Sequence, residues 1–291
     1  MPTIHIPVLP REVLEYLAPR PGETIVDGTL GGAGHTRMIA EAVGDAGQVI
    51  SLDRDLHAID EAALILRGLP IKLVHANYCE LRSVLKQLDI PAVDGLLLDL
   101  GLSSDQLADR ERGFSFESEG DLDLRFDITE GEPAYRLLER MREAELADLI
   151  YEYGEERFSR RIAKRIVETR RDKPIRTAAE LAQLVRRCVP RSPHEKIDPA
   201  TRTFQALRIA VNDELGSLDR LLRDLPDLLK PGGRAVIISF HSLEDRRVKE
   251  AFRADSRYEI LTKKPILAGA VELVDNPRSR SAKLRAAQRK S

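Results

Sequence analysis

Three aspartates each close an apolar segment early in the chain: Asp27 after Thr24-Ile-Val, Asp53 after Gln48-Val-Ile-Ser-Leu, and Asp99 after Val93-Asp-Gly-Leu-Leu-Leu. The first runs directly into a glycine-rich turn, Asp27-Gly-Thr-Leu-Gly-Gly-Ala-Gly34-His35. Glycines at a first strand-to-helix turn let a ligand approach the backbone, and an acid ending the next strand can accept hydrogen bonds from a ribose diol. That pairing suits a nucleoside cofactor. The spacing is not the G-x-G-x-x-G of a pyrophosphate turn, which argues against a nicotinamide dehydrogenase. Joined to Leu229-Lys-Pro-Gly-Gly233 ahead of a further apolar strand, the turn favours an S-adenosyl-L-methionine-dependent methyltransferase core.

Two more groups follow strands, Asn77-Tyr78 and Asp99-Leu-Gly-Leu-Ser-Ser104. In open parallel sheets ligands sit beyond the carboxyl ends of the strands, so both should border one crevice. Tyr78 can pack on an adenine ring or serve as a strand-end core aromatic. Asp99 is the residue expected nearest the reacting centre, with Ser103, Ser104 and His241 as secondary candidates. His241, in Ser239-Phe-His-Ser, is a candidate general base, although a capping or structural histidine is the commoner role. The Asn/Asp-Pro-Pro-Tyr signature of many amino-methyltransferases is absent. Cys79 and Cys188 lack a second thiol at ligand spacing, so neither a zinc site nor a disulfide framework is expected; Asp121, Asp123 and Asp127 could hold Mg²⁺ or form a solvated loop, and no metal ligand is assigned.

These residues need a scaffold, and its pattern is regular. Strand signals at 24–27, 48–53, 71–75 and 93–99 alternate with helical ones at 35–43, 56–66 and 80–88. Such alternation predicts an α/β fold with a doubly wound, mostly parallel sheet, Rossmann-like in the class I methyltransferase manner. From about residue 112 the strand signals vanish, and 133–153, 158–170, 177–188 and 203–215 carry helical spacing, with Thr177 and Glu180 as a capping box. Helix 218–229 and strand 235–240 then resume the first pattern. The expectation is a discontinuous methyltransferase domain, 1–111 with 216–291, holding an all-helical insertion, 112–215, for substrate recognition.

The net charge of −2 conceals an uneven distribution. Residues 157–191 carry +9 and residues 278–291 carry +6, leaving −17 for the rest. Two concentrated basic segments on an acidic chain suit phosphate backbones, or else solvated helix faces. No apolar run approaches the ~20 residues of a bilayer span, and no basic, then apolar leader is visible, so a soluble cytoplasmic protein, a monomer or homodimer, is expected.

Ordered blocks across nearly the whole chain resemble one family. They are His5-Ile-Pro-Val-Leu9, the 27–35 turn, Asp94 to Ser104, Arg112-Gly-Phe-Ser-Phe116, Leu122-Asp-Leu-Arg125, Tyr153-Gly-Glu-Glu156, Thr201 to Leu215, Ser239 to Arg246 and Asn276-Pro-Arg-Ser-Arg-Ser281. The chain is similar to the RsmH (MraW) family, bacterial methyltransferases of cytosine N4 in 16S rRNA. The resemblance implies a substrate cytosine in the decoding region of the small ribosomal subunit, near the P site. It places Asp27, Gly31, Gly32, Ala33, Gly34 and His35 along the cofactor, Asp53 on its ribose, and Tyr78, Asp99 and Gln106 around the rest of the pocket. Asp105, Asp121 and Asp198 stand where the family pattern has Pro, Pro and His.

For RNA, Phe114 and Phe116 are candidates to stack on a flipped or flanking base, or to anchor the insertion. Arg202, Arg208, Arg278, Arg280 and Lys283 are candidates for phosphate contact. The competing readings are a methyltransferase of the same core acting on DNA or a small amine, and an RNA-binding assembly factor without turnover.

Overall fold

The computed structural model describes residues 6–103, 106–107, 109, 111–190 and 197–291. They form two compact units, residues 1–103 with 215–291 and residues 104–214. In chain order the elements are α1 (Pro10–Leu17), β1 (Thr24–Asp27), α2 (Gly34–Val43), β2 (Gln48–Asp53), α3 (Leu56–Ile65), β3 (Ile71–His75), a 3₁₀ turn (Tyr78–Glu80), α4 (Leu81–Gln87) and β4 (Val93–Asp99). Then come α5 (Ala134–Arg140), α6 (Glu143–Gly154), α7 (Ser159–Asp172), α8 (Ala178–Cys188), α9 (Thr201–Asn212), α10 (Glu214–Leu228) and β5 (Leu229–Ser239). The chain closes with α11 (Ser242–Ala254), β6 (Tyr258–Ile260), α12 (Ala270–Asp275), a second 3₁₀ segment (Pro277–Ser281) and β7 (Lys283–Arg289).

The first unit is a seven-stranded sheet in the order β3-β2-β1-β4-β5-β7-β6. Strands β1 to β5 pair in parallel, and β7 runs antiparallel to both β5 and β6. Parallel strands covered on both faces must be apolar on both. In β4, Leu96 and Leu98 join the core with Leu81, Leu221 and Val248, while Leu97 joins the opposite one with Val13, Ile39 and Val236. The α/β fold and the parallel sheet are therefore as the strand–helix alternation predicts.

The C-terminal segment differs from expectation. Its +6 charge reads as a basic tail, yet Leu284, Ala286 and Ala287 are buried in an interior strand. Arg285 enters with them because Asp245 takes its guanidinium on two bonds of 2.6 and 3.2 Å. The charge pattern carried no information about that partner, 40 residues away.

In the second unit, the predicted 133–153 helix is two helices, α5 and α6, interrupted at Met141-Arg142, both extended. The predicted 203–215 helix ends at Asp213, whose φ of 47° closes α9 before α10 begins. Thr177 caps α8 and Glu180 returns the bond, as the capping box requires. Gly154 lets α6 and α9 approach closely: a Cβ there would lie 2.5 Å from the Arg202 carbonyl oxygen.

Arg112-Gly-Phe-Ser-Phe116 and Leu122-Asp-Leu-Arg125 form a clasp. Arg112 donates to the carbonyls of Arg125 and Phe126, and Asp123 holds Arg125 on both oxygens. Asn212 closes it, accepting from Phe126 N–H at 2.7 Å and donating to the carbonyls of Leu124 and Arg208. An unpaired buried backbone group costs about 1–3 kcal/mol. Asn212→Ala is therefore expected to destabilise this unit by about 2 kcal/mol, read as a lowered urea midpoint.

Candidate active site

The carboxyl ends of β1, β2 and β4 bring Asp27, Asp53 and Asp99 to one side of the sheet, since the strands are parallel and register-matched. Asp27 is fully buried; Thr36 Oγ1 donates to it at 2.6 Å and Thr29 N–H at 3.1 Å. Burial pushes its pKa up to about 6, against the opposing pull of Thr36 and of the nearby His35.

Asp53 braces the glycine turn. Its Oδ2 accepts from Gly31 N–H and its Oδ1 from Asp55 N–H, both at 2.9 Å. Burial raises its pKa as well. A carboxylate has about four acceptor positions, so a diol can share this one with the turn. Within the turn, Gly31 and Ala33 adopt positive φ values of 45° and 62°. Ala33 gives α2 no side-chain cap, so the N-terminus of that helix beside the turn carries amides without a capping side chain. Gly34 packs its bare Cα side against Pro7, where a Cβ would meet the ring at 3.1–3.3 Å, which explains why His5-Ile-Pro-Val-Leu9 accompanies the turn.

Asp99 lies between β4 and the turn, its N–H donating to Thr29 Oγ1 at 2.7 Å. His35, 4% exposed, places Nε2 3.6 Å from Asp99 Oδ2. That separation is beyond hydrogen-bond range. Neither ring nitrogen of His35, nor the buried Oδ1 of Asp99, has a hydrogen-bond partner among the described residues. Desolvation works against a charged imidazole, but Asp99, Asp27 and Glu272 outweigh it and raise the His35 pKa. Orphaned polar atoms of this kind are costly in a folded protein. Their concentration at the ends of parallel strands marks the place where a polar ligand fits.

Tyr78 opens the 3₁₀ turn after β3, half-buried against the core and beside Gly28, whose added Cβ would stand 3.2 Å from that of Tyr78. Asn77 caps the turn and donates to Ser217 at 3.1 Å. Ser103 is half-buried. Ser104 lies outside the described residues, and Gln106 belongs to the second unit. His241 stands at the N-cap of α11, its Nε2 3.1 Å from Glu244, which also accepts from the Phe240 and His241 amides. Glu244 therefore caps the helix start, while neither ring nitrogen of His241 has a hydrogen-bond partner among the described residues.

The RNA candidates separate by environment. Phe114 is 6% exposed and stacks on Phe126 at 6.0 Å, while Phe116 meets Phe204 edge-on at 4.8 Å. Both rings anchor the clasp, leaving Phe114 no face for a base. Arg208 is 13% exposed and held by Glu214 on two bonds, at 2.8 and 2.9 Å. Arg278 donates to the Leu102 carbonyl and thereby fastens the loop after Asp99. Lys283 begins β7, half-buried. Arg202 and Arg280 are exposed or nearly half so, the former 3.9 Å from Glu156. Sequence reading missed the bracing of that region by residues 272–278. Glu272 accepts from Leu9 N–H at 2.7 Å and Asn276 donates to the Ile6 carbonyl at 3.1 Å. Only the co-occurrence of the two terminal blocks hinted at it.

No helix among the described residues is long and apolar enough to cross a membrane. Comparison with known proteins gives concordant relatives. The chain is 53% identical over 298 residues to the "Ribosomal RNA small subunit methyltransferase H" of Rhodopirellula baltica, covering 99% of this chain and 92% of that protein. It is 50% identical to the protein of that name from Geobacter sulfurreducens, covering 98% of each. A third, from Deinococcus deserti, is 51% identical over 98% of this chain and 93% of that protein. Residues 2–290 match the family described as the MraW methylase family, and the chain belongs to it.

Proposed function

We propose that the chain transfers a methyl group from S-adenosyl-L-methionine to the exocyclic N4 of a cytosine in the decoding region of 16S rRNA, in the cytoplasmic small ribosomal subunit. The names of the relatives support a small-subunit rRNA substrate. The unpartnered Asp99 Oδ1, buried beside His35, is the observation that carries the chemistry.

The residues present fit the donor. Asp53 has acceptor capacity for its ribose, the 31–35 turn and the uncapped start of α2 suit its charged amino-acid end, and Tyr78 flanks the same side. When bound, the donor supplies an electrophilic methyl on a sulfonium.

Cytosine N4 is a weak nucleophile because its lone pair is delocalised into the ring. The protein must hold that amine in line and favour its rehybridisation. Asp99 Oδ1 accepts a hydrogen bond from the amine and stabilises the positive charge that develops as the nitrogen–methyl bond forms and the methyl–sulfur bond breaks, and the surplus N4 proton then leaves along that hydrogen bond. His35 is a positioning residue: its Nε2 stands 3.6 Å from Asp99 Oδ2, and the surrounding acids raise its pKa, which favours a positive charge beside that carboxylate. The base must leave its stack to reach this depth.

The test is nucleoside mass spectrometry of small subunits lacking base methylation in the decoding region, after incubation with the protein and donor. N4-methylcytidine mapped to that region is the expected result. Donor binding without any methylated cytidine would overturn the assignment of the substrate.

A further inference from the structure

A second concavity lies in the first unit on the flank of the sheet. Lys249, Phe252 and Arg253 of α11, Ile260 at the end of β6, Thr262 and Lys263 beyond it, and Arg285 of β7 enclose about 270 Å³. That is at the small end of ligand pockets, which run roughly 300–1,000 Å³. It has room for one nucleobase or ribose, not for a molecule the size of the methyl donor.

Its chemistry is lopsided. No carboxylate lines it. Arg285 is neutralised by Asp245. Lys249, Arg253 and Lys263 have no ion-pair partner among the described residues, although paired cations are abundant elsewhere on this unit, as at Arg82, Arg247 and Arg257. Lys249 and Arg253 are one helical turn apart, so their heads share one rim. The floor is apolar, made by the buried Phe252, which Tyr258 holds edge-on at 5.2 Å, and by the 37%-exposed Ile260. Thr262 is 4% exposed and its Oγ1 already accepts from Ala286 N–H. An apolar floor under a rim of unpaired cations is complementary to one nucleotide of a single strand, with its base or sugar inward and its phosphates on the rim.

Position supports the same occupant. In the order β4-β5-β7-β6, the pocket's edge strand is three positions from β4 and Asp99. At 4.7–4.9 Å per strand that is about 14 Å sideways, a few nucleotides of extended RNA. We propose that this pocket holds an unpaired nucleotide of the rRNA substrate, near the target cytosine, and fixes where the strand leaves the active site. The proposal rests on the rRNA reading above and adds a contact that none of the basic residues singled out by sequence supplies.

The experiment compares the full-length protein with Lys249→Ala/Arg253→Ala/Lys263→Ala and with Arg67→Ala/Lys72→Ala, which removes exposed cations at the opposite, β3 edge of the sheet. The readouts are donor-induced thermal stabilisation, binding of a single-stranded decoding-region RNA across a salt series, and methylation kinetics on small subunits. Each phosphate contact on a single strand contributes about 0.7 to the salt slope. The triple variant should flatten that slope by roughly 2, weaken RNA binding about a hundredfold at 0.1 M salt, and raise KM for the subunit with kcat and donor stabilisation unchanged. The β3-edge variant should match wild type. Ile260→Glu, which sets a carboxylate at the pocket mouth, should reproduce the loss without deleting a cation. Wild-type affinity and slope in the triple variant, or an equal loss in the β3-edge variant, would overturn the pocket while the rRNA reading stands. A wild-type protein that neither binds nor methylates the RNA would remove that reading, and the pocket's role with it.

Discussion

Asp99→Ala is expected to lower single-turnover methyl transfer by two to three orders of magnitude while the protein still gains thermal stability from its methyl donor. Losing one group aimed at developing charge costs about 10²–10³ in rate. Asp99 fits that description because Oδ1 is buried and unpartnered, whereas its backbone N–H, held by Thr29, is what shapes the turn. The side chain can therefore be removed without collapsing the loop. Equal loss of transfer and of donor stabilisation would show instead that Asp99 serves the cofactor alone. His35→Gln is the companion variant. Because the folded-state pKa of His35 is raised, its charge is present below that value and is lost as pH rises through it. Wild-type transfer should carry an alkaline limb from this ionisation. The glutamine variant should lose about tenfold at neutral pH, an order-of-magnitude cost for a positioning group, and lose that limb.

The second large effect concerns stability. Asp27 has its pKa raised from 3.8 to about 6 by burial. A raised carboxyl pKa stabilises the fold fully below the unfolded value, and the contribution is lost as pH rises through the folded one. Two units at 1.36 kcal/mol each amount to about 3 kcal/mol, of which about half disappears between pH 5 and 7.5. Urea unfolding at these two pH values should show wild type losing this increment. Asp27→Asn should not, because its carbonyl can accept from Thr29 and its amide can donate to the Thr36 hydroxyl, which can then turn to Ser51, 2.9 Å away. Parallel slopes in the two proteins would mean that Asp27 is not buried as a carboxylate in solution.

Much of the first unit is readable because its signal is local. Strands 48–53, 71–75 and 93–99 are found at their predicted bounds, each an apolar run between breakers and helices. The aspartates that end strands 24–27, 48–53 and 93–99 are visible for the same reason: parallel register sends these strand ends to one edge of the sheet. What escaped depends on partners far apart in sequence. A guanidinium in Arg285 or Arg208 looks the same on paper whether it faces a phosphate or is consumed by Asp245 or Glu214. Phe114 and Phe116 likewise have the right chemistry for bases, and sequence alone does not show that they meet Phe126 and Phe204. The pocket on the flank is invisible in sequence because its cations come from a helix and a loop that meet only through β6 and β7.

The late position of β7 in the chain has a consequence during synthesis. β5 lies between β4 and β7, and its residues Ala235 to Ile238 are entirely buried once both neighbours are present. On a growing polypeptide, β4 is already available when β5 emerges, but β7 follows only after α11, β6 and α12. Throughout that interval one side of an apolar strand offers a row of unpaired amides and carbonyls. Such an edge recruits foreign strands readily. That interval lasts while residues 240–283 are synthesised, and the docking of β7 ends it.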